Sequence, residues 1–162
     1  MAARIEPDGG WNTNRLKPDH PLERQGRKPK RERGRQKDAG HLDLIRNLPC
    51  LATGALPTAS RRNDAAHIRY SSAAMGKAGP GSAKPDDRWT VPLAPDVHQG
   101  DKYSQHANGE ELWWSIIGID PLRVAERLYD LSEALRGLGR PEAEIVHALT
   151  AIVNKARAEA GK

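Results

Sequence analysis

From Asp120 onward, apolar residues recur every three or four positions. Leu122, Ala125, Leu128, Leu131 and Leu135 share one helical face behind Asp120-Pro121, an N-cap followed by proline at the first helical position. Gly137 and Gly139 end that helix. Pro141 opens another, in which Ile145, Val146, Leu149, Ile152 and Val153 form an apolar stripe. A shorter run, Leu112 to Ile117, follows Asn108 as candidate N-cap and stops at Gly118. These helices are expected to supply most of the burial. Upstream, Leu42, Ile45 and Leu48 have helical spacing within His41 to Leu48, and Pro49 ends that short docking helix. Asp64 to Tyr70 fits a brief strand, and Arg88 to Leu93 alternates apolar with polar residues. The Gly, Ser, Ala and Pro-rich stretch Ser71 to Pro85 between them makes the pair a wide hairpin. Met1 to about Asp38 has neither period and is read as a flexible arm.

The pattern therefore predicts an α+β chain in three parts: a disordered arm over 1–38, a hairpin-containing region over 39–118 and C-terminal helices over 119–162. Composition agrees with an incompletely packed chain. Of 162 residues 37% are hydrophobic, none is Phe and 29% are charged, which leaves too little apolar surface for the whole length to pack. The formal net charge of +5 favours a polyanionic partner, nucleic acid before membrane. Eight Lys or Arg against one acid, Glu32, lie between Arg24 and Lys37. Arg27, Lys28, Lys30, Arg31, Arg33 and Arg35 of this block are candidate phosphate contacts, although such a run can also be no more than a solubilising tail. Cys50 is the only cysteine, so an intrachain disulfide and a four-cysteine zinc site are excluded. With no apolar run long enough for a membrane helix and no signal-like N-terminus, the expected location is cytoplasmic.

The chemistry-bearing residues fall in a definite order: Asp64 and His67 in the first strand, Asp86-Asp87 in the hairpin loop, then His98 and Gln105-His106 after the second strand. Phosphodiester hydrolysis needs a base for water, a role suited to imidazole, and a cation to offset charge in the transition state. In a continuous helix His98 and His106 would lie about 12 Å apart. Gly100 and Asp101 could break the helix and turn both toward one ion. Otherwise one histidine binds metal while the other caps, packs or contacts phosphate. Arg69 and Lys77 are candidate phosphate contacts or ordinary surface cations. Trp89, Trp113 and Trp114 lie in regular segments and are read as core. His147 is read as a surface or half-buried residue, and Cys50 has no basic partner that would make it a nucleophile.

Four segments carry a resemblance: Leu48-Pro-Cys-Leu-Ala-Thr-Gly54, Ala65-Ala-His-Ile-Arg69, Lys84-Pro-Asp-Asp-Arg-Trp-Thr-Val-Pro-Leu93, and Gln105-His106 with Gly109-Glu110-Glu-Leu-Trp113. Over about His41 to Asp130 the chain resembles the HNH, or ββα-metal (His-Me finger), endonuclease superfamily, in particular prophage-encoded HNH-like proteins related to Ref-type recombination nucleases. The resemblance implies a ββα-metal core over 39–118 and metal-dependent cleavage of nucleic acid, DNA before RNA, with one divalent ion (Mg, Mn or Zn). It places His67 as general base, Asp87 as the residue steadying the loop, and His98 and His106 as metal ligands. Ala66 stands where many relatives have a ligand, so a further ligand comes from Asp64 or Asp87 or is missing. The CxxC pairs of zinc-knuckle relatives are replaced by Cys50 and Thr53, and by Ala94 and Val97, so packing must hold the hairpin. Two rival readings keep the fold without the activity: a nucleic-acid-binding module, and a phage interaction protein that dimerises through the Ile145 to Val153 stripe.

Overall fold

The computed structural model describes residues 34–79, 84–100 and 102–162. The arm cations Arg27, Lys28, Lys30, Arg31 and Arg33 lie outside the described residues. From Gly34 the chain is a mixed α+β unit. Helix α1 (Ala39–Arg46) leads to strand β1 (Asp64–His67), a short 3₁₀ turn (Ala73–Met75), strand β2 (Thr90–Leu93) and a π-helical turn (Asp96–Gly100). Helices α2 (Glu110–Ile117), α3 (Pro121–Gly137) and α4 (Glu142–Glu159) follow.

The two strands pair antiparallel, with Asp64 opposite Leu93 and His67 opposite Thr90. All four β2 residues are buried, which accounts for the run Thr90-Val-Pro-Leu93. Proline within a strand is confined to a position where its missing N–H is not needed. Pro92 meets that condition, and its carbonyl accepts the Leu51 N–H at 2.8 Å, covering the sheet edge with the turn after α1. A cluster built from Ile45, Leu48, Leu51, Ile68, Val91 and Leu93 joins the helices through Trp114, Leu128, Leu149 and Val153. Trp89, Trp113 and Trp114 are buried, as their placement in regular segments predicted.

Asp120 caps α3 by accepting the Leu122 and Arg123 N–H groups, with Pro121 behind it, as the sequence indicated. In α4 Ile145, Leu149 and Val153 are buried, while Val146 and Ile152 pack against the core. The stripe that one rival reading made a dimer seam is thus buried or packed against the core within the chain. Two expected details differ. Leu44, not Leu42, shares the buried face of α1 with His41 and Ile45. At α2 the N-cap is Gly109, whose φ of 72° suits glycine. Asn108 turns away and donates its amide to the carbonyls of Lys102 and Ser104. Among the described residues no helix is long and apolar enough to cross a membrane.

The expected arm boundary near Asp38 also falls inside a structured segment. Gln36 N–H donates to Asp86 Oδ1 (2.8 Å), Asp87 N–H to Gln36 O (3.1 Å) and Arg35 Nε to Pro85 O (2.8 Å). Asp38 accepts the His41 N–H at 2.9 Å, capping α1, and both its oxygens accept from Arg136 of α3. Residues 35–38 are an extended strap whose hydrogen bonds go to the hairpin loop and to α3. Such a strap has no hydrophobic period, so pattern alone read it as arm.

Candidate active site

β1 contributes Asp64 at its start and His67 at its end, and the loop before β2 contributes Asp87. His67 Nε2 lies 2.9 Å from Asp87 Oδ1, and the Arg35 guanidinium, paired with the same carboxylate oxygen, reaches within 3.2 Å of that ring nitrogen. An ionised carboxylate only accepts and a guanidinium only donates. The two partners ask opposite things of Nε2; the shorter contact, to Asp87, favours a hydrogen on Nε2 and the lone pair of the neutral ring on Nδ1, with Arg35 donating to Asp87 rather than to the ring. Burial holds the His67 pKa below that of a free imidazole, against the opposing pull of Asp87. Burial would raise Asp87, but hydrogen bonds from the Asp38 N–H, His67 and Arg35 outweigh it and leave its pKa lowered. The pair is arranged as a neutral imidazole oriented by a carboxylate.

After β2 the π-helical turn presents His98. The Val97 and His98 N–H groups both donate to Ala94 O, a tightened turn that keeps the ring against β1. His98 Nδ1 lies 2.9 Å from Asp64 Oδ2. The Gln99 amide nitrogen lies 3.0 Å from the same Nδ1, but the shorter contact to the charged Asp64 favours a hydrogen on Nδ1 and the lone pair on Nε2. His106 returns to the same place because the Gln105 N–H donates to Val97 O (2.9 Å) and the His106 N–H to His98 O (3.3 Å). The two imidazoles meet edge to face with centroids 4.6 Å apart. The eight-residue interval is therefore folded back, not helical; Gly100 ends the π-helical turn, and Asp101 lies outside the described residues. Burial, then the charges of His98 and Arg69, lower the His106 pKa.

His67, His98, His106 and Asp64 line one cleft of about 300 Å³. Arg35, Arg46, Arg69 and Lys84 line it as well. Arg35 is the one candidate from the expected arm that the described structure reaches, and it faces Asp87. Arg69 takes the place expected of a cation facing the cleft. Lys77 does not: its ammonium donates to the Tyr70 carbonyl, the residue is 5% exposed, and burial lowers its pKa. It braces the hairpin loop and cannot reach a phosphate without breaking that contact. Arg46 and Lys84 were not foreseen. Arg46 sat in a segment read only for its apolar spacing, and Lys84 carried no signal besides its place beside Pro85-Asp86-Asp87.

As metal donors the cleft offers the Nε2 of His98, the ring of His106 and the carboxylate of Asp64. Asp64 is engaged on the far nitrogen of His98, where a carboxylate fixes the tautomer and orientation of a ligating imidazole. Among the described residues no group of three or more His, Cys, Asp or Glu side chains is gathered closely enough to hold a metal ion. The donor types, with two imidazoles directly available, fit a borderline cation such as Zn²⁺ better than the harder Mg²⁺ or Mn²⁺. No family model, curated protein or solved structure matches the chain.

Proposed function

We propose that the chain is a metal-dependent endonuclease of the HNH, ββα-metal class, acting on phosphodiester bonds in nucleic acid, DNA before RNA. The observation that carries this reading is the convergence of His67, His98 and His106 on a single cleft also lined by four cations. His67 takes a proton from water at Nδ1, and Asp87 holds its ring through Nε2. Arg69, Lys84 and Arg46 face the cleft and attract the phosphate, Arg as a two-pronged donor and Lys as a point charge. His98 and His106 would hold the ion, with Asp64 behind His98. Such an ion supplies charge neutralisation at the phosphoryl and leaving oxygens. The basic block before Arg35 adds sequence-independent affinity through phosphate contacts.

A second reading, a nucleic-acid-binding module that keeps the fold without cleavage, draws support from the lack of a three-donor cluster among the described residues. Calorimetric titration with Mn²⁺ and Zn²⁺ separates the two. Under the nuclease reading the wild type binds one ion, and His98→Ala and His106→Ala each lose most of that affinity while His67→Ala keeps it. A wild type that binds no divalent ion would favour the binding module.

A further inference from the structure

The loop that carries His106 has no regular structure, so something must fix it relative to β1. Glu110, the first residue of α2, is bonded on both sides. Its Oε2 accepts the backbone N–H groups of Arg69 (2.8 Å) and Tyr70 (3.3 Å), just past the last hairpin bond from Ile68 N–H to Trp89 O. Its Oε1 accepts from Gln105 Nε2 at 3.0 Å. Gln105 is 2% exposed and precedes His106. Because a carboxylate only accepts, Gln105 must turn its NH₂ toward Glu110, and its own Oε1 is then buried without a partner. One side chain thus stands in for a missing strand beyond β1 and anchors the loop that returns His106 to the cleft. Burial raises the Glu110 pKa; the N–H groups of Arg69 and Tyr70 and the charges of Lys77 and Arg69 act the other way and favour the ionised form.

We propose that Glu110 is a positioning residue: its carboxylate locks the Arg69 backbone and the His106 loop into one frame, setting the separation between the phosphate-facing cation and the metal-ligating histidines. The role in metal binding rests on the nuclease reading above; the clamp on His106 does not. Gln105 makes the clamp testable. In Glu110→Gln the new carbonyl can still accept from Arg69 and Tyr70, and a flipped Gln105 can offer its unused Oε1 to the new NH₂. In Glu110→Ala both links are cut.

The experiment compares full-length wild type, Glu110→Gln and Glu110→Ala by Zn²⁺ calorimetry, by ¹⁵N spectra of the histidine rings in metal-free protein, and by amide exchange. Glu110→Ala should weaken Zn²⁺ binding about 10–100-fold, the scale for losing a group that orients a ligand. It should also shift the His106 ring signals and speed exchange at Arg69 and Tyr70. Glu110→Gln should stay within about threefold of wild type, since hydrogen-bond geometry rather than charge does the positioning. A Glu110→Ala variant of lowered melting temperature but unchanged Zn²⁺ affinity would reduce Glu110 to a structural residue and overturn the proposal. So would equal loss in both variants, which would mark the carboxylate as a ligand itself. If the wild type binds no Zn²⁺ the nuclease reading fails, and the metal-free spectra decide alone: His106 signals that move in Glu110→Ala uphold the clamp, and unmoved signals refute it.

Discussion

Replacing Asp87 separates orientation of the base from support of the fold. Its side chain is 4% exposed and accepts from three donors: the Asp38 N–H at 2.8 Å, His67 Nε2 at 2.9 Å and the Arg35 guanidinium. Asp87→Ala leaves a part-buried N–H and a partly buried cation unpaired, a loss of about 3–5 kcal/mol on the scale of a broken buried pair. At roughly 3–4 °C per kcal/mol for a chain of this size, the melting temperature should fall by about 10–20 °C. Asp87→Asn is the sharper variant. One amide oxygen can keep the Asp38 N–H, but the NH₂ must then face a donor or force His67 to present Nε2 as acceptor, moving the lone pair off Nδ1. Stability should fall by about 1–3 kcal/mol, while nicking of supercoiled plasmid in Mn²⁺ should fall by about 10⁴-fold, the scale for an Asp-to-Asn exchange in an Asp–His pair. Urea unfolding and initial nicking rates give the two quantities separately. Nicking by Asp87→Asn within tenfold of wild type, in protein shown to be folded, would refute the claim that this carboxylate sets the tautomer of His67.

Three further expectations concern stability and pH. His41 is fully buried, with Nδ1 on Ser132 Oγ at 2.7 Å, and burial lowers its pKa to about 4. A histidine held neutral in the fold contributes stability that is complete above pH ~6.5 and is lost as pH falls toward ~4, here about 3 kcal/mol; urea unfolding of His41→Gln should lose that part of the slope. Asp87, with its pKa lowered, contributes stability present above the ordinary carboxylate range and lost only as pH falls below it, so Asp87→Asn should flatten the curve at more acid pH than His41→Gln does. Gly54 has φ +76°, and a Cβ there would meet the Arg157 guanidinium; Gly54→Ala should cost about 1–2 kcal/mol from the left-handed backbone alone, and thermal melts that show no loss would contradict the left-handed conformation of this turn.

The parts of the molecule legible in the sequence were those governed by periodic burial. The α3 cap at Asp120-Pro121 and the α4 stripe follow from spacing and cap chemistry, and the hairpin follows from the loop composition between its strands; β2 is a strand as its alternation indicated, but all four of its residues are buried, not every second one. The strap at residues 35–38 did not, because its order comes from side chains of Asp86, Asp87 and Arg136 that are distant in sequence. Lys77 was misassigned because a buried lysine satisfied by a carbonyl looks, in sequence, like any surface cation. The proximity of His98 and His106 was open from spacing alone; the return hydrogen bonds to Val97 and His98 decide it. Glu110 stood in the sequence only as part of the segment Gly109-Glu110-Glu-Leu-Trp113, with no signal that its carboxylate reaches back to Arg69 and Tyr70.

The central claim, that His67 is the base of a metal-dependent nuclease, is tested most directly by nicking of supercoiled plasmid with Mg²⁺, Mn²⁺ or Zn²⁺, wild type against His67→Ala. The wild type should nick only with a divalent ion and stop on chelation. His67→Ala should be slower by about 10²–10⁴-fold, the usual worth of a general base, with DNA affinity little changed, because phosphate contacts lie on other residues. Full activity in His67→Ala, or wild-type cleavage indifferent to chelator, would contradict the account.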